Sequence, residues 1–277
     1  MKSLQRCIWA CSTVVVSLCG ASVASAQSSL FRFGDLDLRD PHIFANVFLF
    51  GCQDLTTQTN DQLQTSIQGD ANGDGFLDRS TVVEFLPLNQ AAATNLFDSG
   101  RASCTAPFAT TTCGPINSSA IMGSATLSTT TTCLATVPGS IGQVYVPAVT
   151  SSSVPCFASP PGTIMLDLGG IPVPLTGAQI AGRFVGSPAT SLDNGLLRGF
   201  ISEVDATNTI LPASIPVIGG QPLSSVLRGG AGNCAAGSDK DVFNGVTGWW
   251  FYLNYVAPRT ARFVDNFANG FANGFEP

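Results

Sequence analysis

The sequence predicts an all-β fold, either a sandwich or an irregular barrel, with disulfide-stapled loops. Short stretches that alternate apolar and polar residues are bounded by Gly, Pro, Asn and Asp, the pattern of strands joined by turns. The 277-residue chain contains 29 Gly and 17 Pro, and only 11% of its residues are charged. It therefore has few of the Lys and Glu residues that favour helices. Beyond residue 26 there are six cysteines, an even number that suits a disulfide framework.

Each predicted strand follows from its local pattern. Residues 30–39 alternate at period two, residues 81–87 end at a proline, and the apolar run 43–50 suits a strand buried on both faces or a short buried helix. The other strand candidates are residues 124–137 (a strand pair or a loop), 143–149, 163–168, 180–185 and 248–256. Residues 101–117 and 150–162 are predicted loops.

One helix is predicted over residues 191–204. Ser191 or Asp193 could cap its first turn. Gly195 and Gly199 lie inside it and weaken it, because glycine is a poor helix former.

The first 26 residues are predicted to be a cleavable signal peptide. Lys2 and Arg6 precede an apolar run over residues 7–19, and residues 24–26 read Ala-Ser-Ala, so cleavage is expected before Gln27. A transmembrane anchor would need about 18–20 apolar residues, and this run is shorter. A lipoprotein is the other alternative, because Cys19 ends the run, but Leu18 stands where a lipobox has a small residue. The protein is therefore expected to be secreted, extracellular or periplasmic.

The expected organisation is a signal peptide (1–26), a single β-rich domain (27–262) and a flexible Phe/Asn/Gly tail (263–277). A sub-boundary within residues 150–162 stays open. The tail repeats Phe-Ala-Asn-Gly and ends Phe-Glu-Pro. It resembles the short Phe-Gly-Phe-Glu tails of exported proteins in some gram-negative bacteria, and the whole chain resembles uncharacterised exported bacterial proteins. The resemblance supplies no activity.

The charge balance argues against a nucleic-acid partner. The chain has 12 Lys and Arg against 18 Asp and Glu. Loss of Lys2 and Arg6 with the signal peptide leaves 10 basic residues and a net charge of −8. The arginines are scattered singly, and no basic cluster could neutralise phosphates. An anionic membrane surface is disfavoured for the same reason.

Six cysteines remain after signal removal, and disulfides between them are expected in an oxidising compartment. They are Cys52, Cys104, Cys113, Cys133, Cys156 and Cys234. Their spacing leaves the pairing open. With a single histidine in the chain, a zinc site of Cys and His is not expected.

One motif carries metal chemistry. Asp70, Asn72, Asp74 and Asp78 follow the spacing D-x-N-x-D-G-x-x-D. Side-chain oxygens at alternate positions of a tight loop can converge on one point, and calcium takes about 6–8 oxygens. The sequence therefore predicts a structural calcium site in the loop of residues 70–78.

This motif resembles the first nine positions of the calcium loops of EF-hands and of dockerin modules. The resemblance implies side-chain ligands from Asp70, Asn72 and Asp74, a carbonyl ligand from Phe76, and Asp78 directly or through water. It also implies that Leu77 anchors the loop in the core.

The chain departs from these families at the twelfth loop position, where they have a bidentate acid and this chain has Thr81. Glu84 lies three residues later. What completes the metal shell is left open. The flanking residues predict a loop between strands and not a helix–loop–helix, and without a second repeat no cohesin partner is implied.

No residue is assigned as catalytic. The lone histidine, His42, could act as a catalytic base only beside a nucleophile, and the sequence contains no G-x-S-x-G nucleophile elbow. His42 is therefore expected to be structural. In the strand 248–256, Trp250 and Tyr252 share one face. An exposed face would bind a sugar ring by stacking, whereas the alternative is a core strand covered on both sides.

Three functions follow from these observations. The first is a secreted or cell-surface calcium-binding β protein with a structural or adhesive, non-catalytic role and an unknown surface or polysaccharide partner. The second is a carbohydrate-binding module using the Trp249–Tyr255 strand, with Trp250 and Tyr252 as the aromatics that would contact the sugar. The third is a secreted hydrolase, which would require two close carboxylates in a cleft or His42 beside a serine.

Overall fold

The computed structural model describes residues 28–140, 143–213 and 215–263. The predicted signal peptide and the Phe-Ala-Asn-Gly tail repeat lie outside these residues. The strands are β1 (Ser29–Arg32), β2 (Asp35–Asp40), β3 (Phe44–Val47), β4 (Gly51–Asp54), β5 (Thr81–Phe85), β6 (Thr94–Cys104), β7 (Thr112–Ser128), β8 (Cys156–Ala158), β9 (Gly162–Leu168), β10 (Ile171–Val185), β11 (Ser191–Ser202), β12 (Asp241–Phe243) and β13 (Val246–Arg262). The helices are α1 (Thr56–Gln68), α2 (Glu203–Asn208) and α3 (Leu223–Val226), with a 3-10 turn at Phe108–Thr110.

The fold is all-β, as predicted, and of the two architectures it is the barrel. Eight strands pair in the order β1, β5, β6, β7, β8, β10, β11, β13, and β13 returns to pair with β1. Leu30 of β1 lies opposite Glu84 on one side and Thr260 on the other, and these antiparallel neighbours close the sheet. Strands β2 and β12 add to β13, and β9 adds to β10. Strands β3 and β4 form a separate hairpin.

Phenylalanine rings fill the closed sheet. The Phe85 ring lies 4.9 Å from Phe157, 5.6 Å from Phe184, 5.7 Å from Phe97 and 6.2 Å from Phe31, measured between centroids. All five are almost completely buried. Edge-to-face and tilted contacts of this kind add to the burial of aromatic area, so the barrel interior is a packed core.

The disulfides join Cys52 to Cys234, Cys104 to Cys113 and Cys133 to Cys156. All six predicted cysteines are therefore paired. The bond between residues 104 and 113 links facing positions of β6 and β7. The other two attach the β3–β4 hairpin and the long segment after β7 to the body of the protein.

The helix predicted over residues 191–204 is wrong. Residues 191–202 form β11, between β10 and β13. The two glycines that weakened the helix allow close packing of this strand. A Cβ atom at Gly195 would lie 2.6 Å from the Tyr255 ring, and one at Gly199 would lie 2.8 Å from the Leu175 Cβ. The helix begins only after β11, where Ser202 Oγ accepts a bond from Asp205 N.

Four further predictions were wrong in whole or in part. Residues 101–117 hold the end of β6 and the start of β7, and residues 150–162 hold β8, so neither segment is simply a loop. Residues 143–149 form no strand. The run 43–50 is neither a buried strand nor a helix, because β3 ends at Val47 and the next three residues are exposed. The strands predicted at 30–39, 81–87, 163–168, 180–185 and 248–256 are confirmed, the first as two strands, β1 and β2.

Candidate functional site

The 70–78 loop connects helix α1 to strand β5. The prediction of a strand before the loop is therefore wrong, and the strand after it is confirmed. Helix α1 buries Leu63 and Ile67, four residues apart on one face. Its sequence, TTQTNDQLQTSIQ, has few strong helix formers, so packing of this face and not local propensity selects the helix.

The loop folds around its own acidic side chains. The Asp70 carboxylate accepts hydrogen bonds from the backbone N–H groups of Gly73 (2.9 Å), Asp74 (3.1 Å) and Gly75 (3.0 Å). Asp74 Oδ1 accepts from Phe76 N at 2.8 Å. Gly73 and Gly75 have φ of 71° and 84°, a region that glycine reaches without strain.

Asn72 and Asp78 complete this arrangement. Asn72 Oδ1 accepts from Asp74 N at 3.0 Å, and its Nδ2 donates to Asp74 Oδ2 at 3.0 Å. Asp78 Oδ2 accepts from Ala71 N at 3.0 Å. Each of the four predicted side-chain ligands therefore accepts a hydrogen bond from a backbone N–H group of the loop itself.

The exit of the loop is attached to the sheet. Leu77 is buried and packs in a cluster with Cys104 and Cys113, which confirms its role as an anchor. Leu77 N donates to Cys104 O at 2.8 Å, and Ala106 N donates to Gly75 O at 2.8 Å. Phe76 is half-exposed, and these bridge bonds do not use its carbonyl.

Arg32 ties the two ends of the loop together. Its guanidinium donates to Ile67 O at the end of α1, to Arg79 O (3.0 Å) just beyond the loop and to Ser80 Oγ (3.2 Å). The side chain is completely buried, and burial lowers its pKa to about 10. The ring of Phe108 lies 4.8 Å away, a cation–π contact.

Sequence reasoning missed Arg32. In an alternating strand a single arginine indicates an outward-facing position, yet all four residues of β1 are buried. No signal in the sequence distinguishes it from the other scattered arginines.

Glu84 does not complete the metal shell. Its carboxylate is almost fully buried and pairs with the Arg262 guanidinium, with 3.0 Å between Oε1 and Nε. A different acid lies near the loop. Asp61 on α1 lines an open groove of about 600 Å³ together with Asp70 and Asp78.

The donors available around the loop suit a hard cation. They are carboxylate and amide oxygens and one carbonyl, and calcium selects oxygen ligands of this kind. Residues 70–78 contain no basic side chain, and the adjacent Arg79 pairs with Asp167 at 3.0 Å. Within the described ranges, no three His, Cys, Asp or Glu side chains are grouped closely enough to hold a metal ion. The acids here are bonded to backbone N–H groups instead.

Of the two alternatives for the aromatic strand, the covered core strand is confirmed and the exposed sugar-binding face is wrong. Trp250 is 4% exposed and Tyr252 is fully buried. Residues 133–140 and 143–150 cover this face. Tyr252 Oη accepts from Val137 N at 3.0 Å, and Asn254 exchanges hydrogen bonds with the backbone of Thr150 at 2.7 and 2.8 Å. Neither ring is available to stack on a sugar.

His42 lies at the base of the β3–β4 hairpin. Its Nδ1 lies 2.5 Å from Asp54 Oδ2, and the Tyr145 ring stacks on the imidazole at 3.7 Å. Burial raises the pKa of Asp54, but hydrogen bonds from His42 and Thr56 outweigh burial and bring the pKa below its ordinary value. In the described residues no serine hydroxyl bonds to His42. The contacts support the predicted structural role.

Two buried carboxyl groups lie close to this cluster. Burial and the nearby Asp239 raise the pKa of Asp40 to about 8. Burial also raises the pKa of Asp239, although its hydrogen bond with the Tyr145 hydroxyl opposes the shift. Neither residue lines the groove beside the 70–78 loop or the groove between Phe200 and Phe243. Asp40 and Asp239 are therefore not the two carboxylates of a hydrolase cleft at either of these grooves.

Comparisons with protein-family models, with curated proteins and with solved structures found no match for this chain. Among the described residues, no helix combines the length and the hydropathy needed to span a bilayer.

Proposed function

We propose that this protein is an exported calcium-binding β protein with a structural or adhesive, non-catalytic role, and that the 70–78 loop is its calcium site. The observation that carries the proposal is that side-chain oxygens of Asp70, Asn72, Asp74 and Asp78 all accept hydrogen bonds from N–H groups of one short loop. A surface turn needs one such side chain to cap its N–H groups. Here there are four at ligand spacing, and the three carboxylates among them place negative charge where a cation would neutralise it.

The position of the loop supports a stabilising role. It separates α1 from β5, and Arg32 and Leu77 attach its two ends to the sheet. Asp70, Asn72, Asp74 and Asp78 would hold the ion with the Phe76 carbonyl, and Asp61 is the nearby acid that could add an oxygen. The positive charge of calcium would reduce the repulsion between these carboxylates. The bound ion would also hold the loop that links the end of α1 to the sheet.

The size of the effect follows from linkage. Extracellular calcium modules bind with dissociation constants of about 10⁻⁴ to 10⁻³ M. Calcium at ten times the dissociation constant would stabilise the folded state by about 1.4 kcal/mol. Such a contribution suits a structural site in an environment of steady calcium concentration.

The test is thermal unfolding of the oxidised protein in calcium and in chelator, with isothermal titration to count sites. Asp70→Asn/Asp74→Asn should abolish a calcium-dependent rise in melting temperature. The control, Asp35→Asn/Asp241→Asn, removes the same charge outside the loop and should keep the full rise. Equal shifts in both variants, or no shift in the unmodified protein, would reject the calcium site and leave an acidic turn.

A further inference from the structure

The tip of the β3–β4 hairpin exposes three large apolar side chains in succession. Phe48, Leu49 and Phe50 are 87%, 84% and 73% exposed. Single exposed apolar residues are ordinary on protein surfaces, but a group of them marks an interaction site. We refer to these three residues as the apolar tip.

Leu49 adds backbone strain to this exposure. Its φ is 70°, in the left-handed region where side chains other than Gly, Asn and Asp are uncommon. For an L-residue this conformation costs about 1–2 kcal/mol. Asn or Gly at this position would remove both the backbone strain and the exposed apolar side chain. Leu49 therefore adds apolar surface to the tip at the expense of the stability of the turn.

The hairpin projects from a fixed base. Ile43 and Ala45 pack into the main core, and all four residues of β4 are exposed. A bond from Ile43 N to Thr56 Oγ1 (2.9 Å) holds the base, and the Cys52–Cys234 disulfide holds β4 two residues from the tip. At about 3.3 Å per residue, β3 places the tip about 10 Å beyond Phe44. Little ordering entropy would be lost when the tip binds.

The apolar area is too small for a stable protein interface. At about 200 Å² for a large apolar residue, the tip presents about 490 Å². A specific protein interface buries about 800 Å² on each partner. Two tips meeting in a dimer would therefore fall short of a stable contact. A lipid interface has no such threshold, because it adapts its shape and binding scales with the apolar area inserted, to a depth of about 5–10 Å.

The charge distribution selects the kind of lipid. Residues 43–53 contain no Asp, Glu, Lys or Arg, and the chain as a whole has a net charge of −6. An anionic membrane would repel this protein, because surface attraction depends on Lys and Arg near the interface. We propose that the apolar tip inserts into the interface of a neutral, zwitterionic lipid surface and attaches the protein there peripherally.

The experiment is co-sedimentation of the oxidised protein with phosphatidylcholine vesicles, compared with vesicles that contain phosphatidylglycerol. Phe48→Ser/Phe50→Ser should lower the partition coefficient at least tenfold. The control, Leu96→Ser/Met122→Ser, removes side chains that are 60% and 69% exposed elsewhere and should change binding less than twofold. Equal melting temperatures of the two variants would establish that both are folded.

A second measurement locates the inserted residue. Leu49→Trp should show fluorescence quenching by brominated phosphatidylcholine. Absence of quenching, equal binding of the tip and control variants, or no binding to phosphatidylcholine by the unmodified protein would each overturn the proposal. Stronger binding to phosphatidylglycerol would overturn the choice of neutral lipid. A tip-dependent dimer without vesicle binding in sedimentation velocity would identify a second copy as the occupant and reject lipid.

Discussion

Replacing Asp40 with asparagine should stabilise the protein at alkaline pH. Asp40 is 4% exposed, and the structure assigns its side chain no hydrogen bond within the described residues. Its pKa is raised from 3.8 to about 8 by burial and by the nearby Asp239. The folded protein therefore keeps a neutral carboxyl group at pH 6, whereas the unfolded chain has released that proton.

The pH dependence follows from this difference in proton binding. Below pH 3.8 Asp40 is protonated in both the folded and the unfolded state, and its contribution to the unfolding free energy is at its most favourable. Between about pH 4 and pH 8 the folded state binds more protons, so stability falls by up to about 1.4 kcal/mol per pH unit. Above pH 8 both states are ionised and the loss is constant. The total reaches up to about 6 kcal/mol.

Asparagine is neutral at every pH and avoids this loss. The difference in unfolding free energy between Asp40→Asn and the unmodified protein should be near zero at pH 4 and should grow to several kcal/mol at pH 9. Urea unfolding at pH 4, 6, 7.5 and 9 would measure it, with Asp35→Asn as an exposed control from the same strand. A difference that does not change with pH would refute the reasoning.

Three further predictions follow from other contacts. Arg32→Met should lower the unfolding free energy by about 3 kcal/mol, because buried carbonyls lose charged donors. The same substitution should reduce the calcium-dependent shift in melting temperature. An unchanged shift would show that Arg32 does not contribute to calcium binding by the loop. Replacing both cysteines of the Cys52–Cys234 pair with alanine should lower the unfolding free energy by about 5 kcal/mol, and the same change at Cys104–Cys113 should lower it by about 3 kcal/mol. The first loss is larger because that disulfide closes a loop of 182 residues, whereas the second closes one of 9. Equal losses in denaturant titrations would contradict this. Leu49→Asn should raise stability by about 1 kcal/mol and weaken vesicle binding, and a loss of stability would contradict the strain at φ 70°.

Much of the barrel, and the local folding of the 70–78 loop, could be predicted because their signals are local. Alternation in residues 35–39 and 163–168 reports one buried face of a strand wherever the strand pairs. The spacing of Asp70, Asn72 and Asp74 lets their side chains accept hydrogen bonds from N–H groups of the same loop. Six cysteines outside the predicted signal peptide indicated bridges, but not which cysteines pair.

The tertiary structure decided everything that depends on distant partners. Residues 191–202 form a strand because they pair with β10 and β13, where Tyr255 and Leu175 leave room only for glycine. The face of β13 that carries Tyr252 is buried because residues 133–140 and 143–150 cover it. Burial of Asp40 and the exposure of residues 48–50 likewise depend on what packs nearby. Sequence patterns record which side chains avoid water on average, whereas burial at a given residue is set by contacts with segments far along the chain.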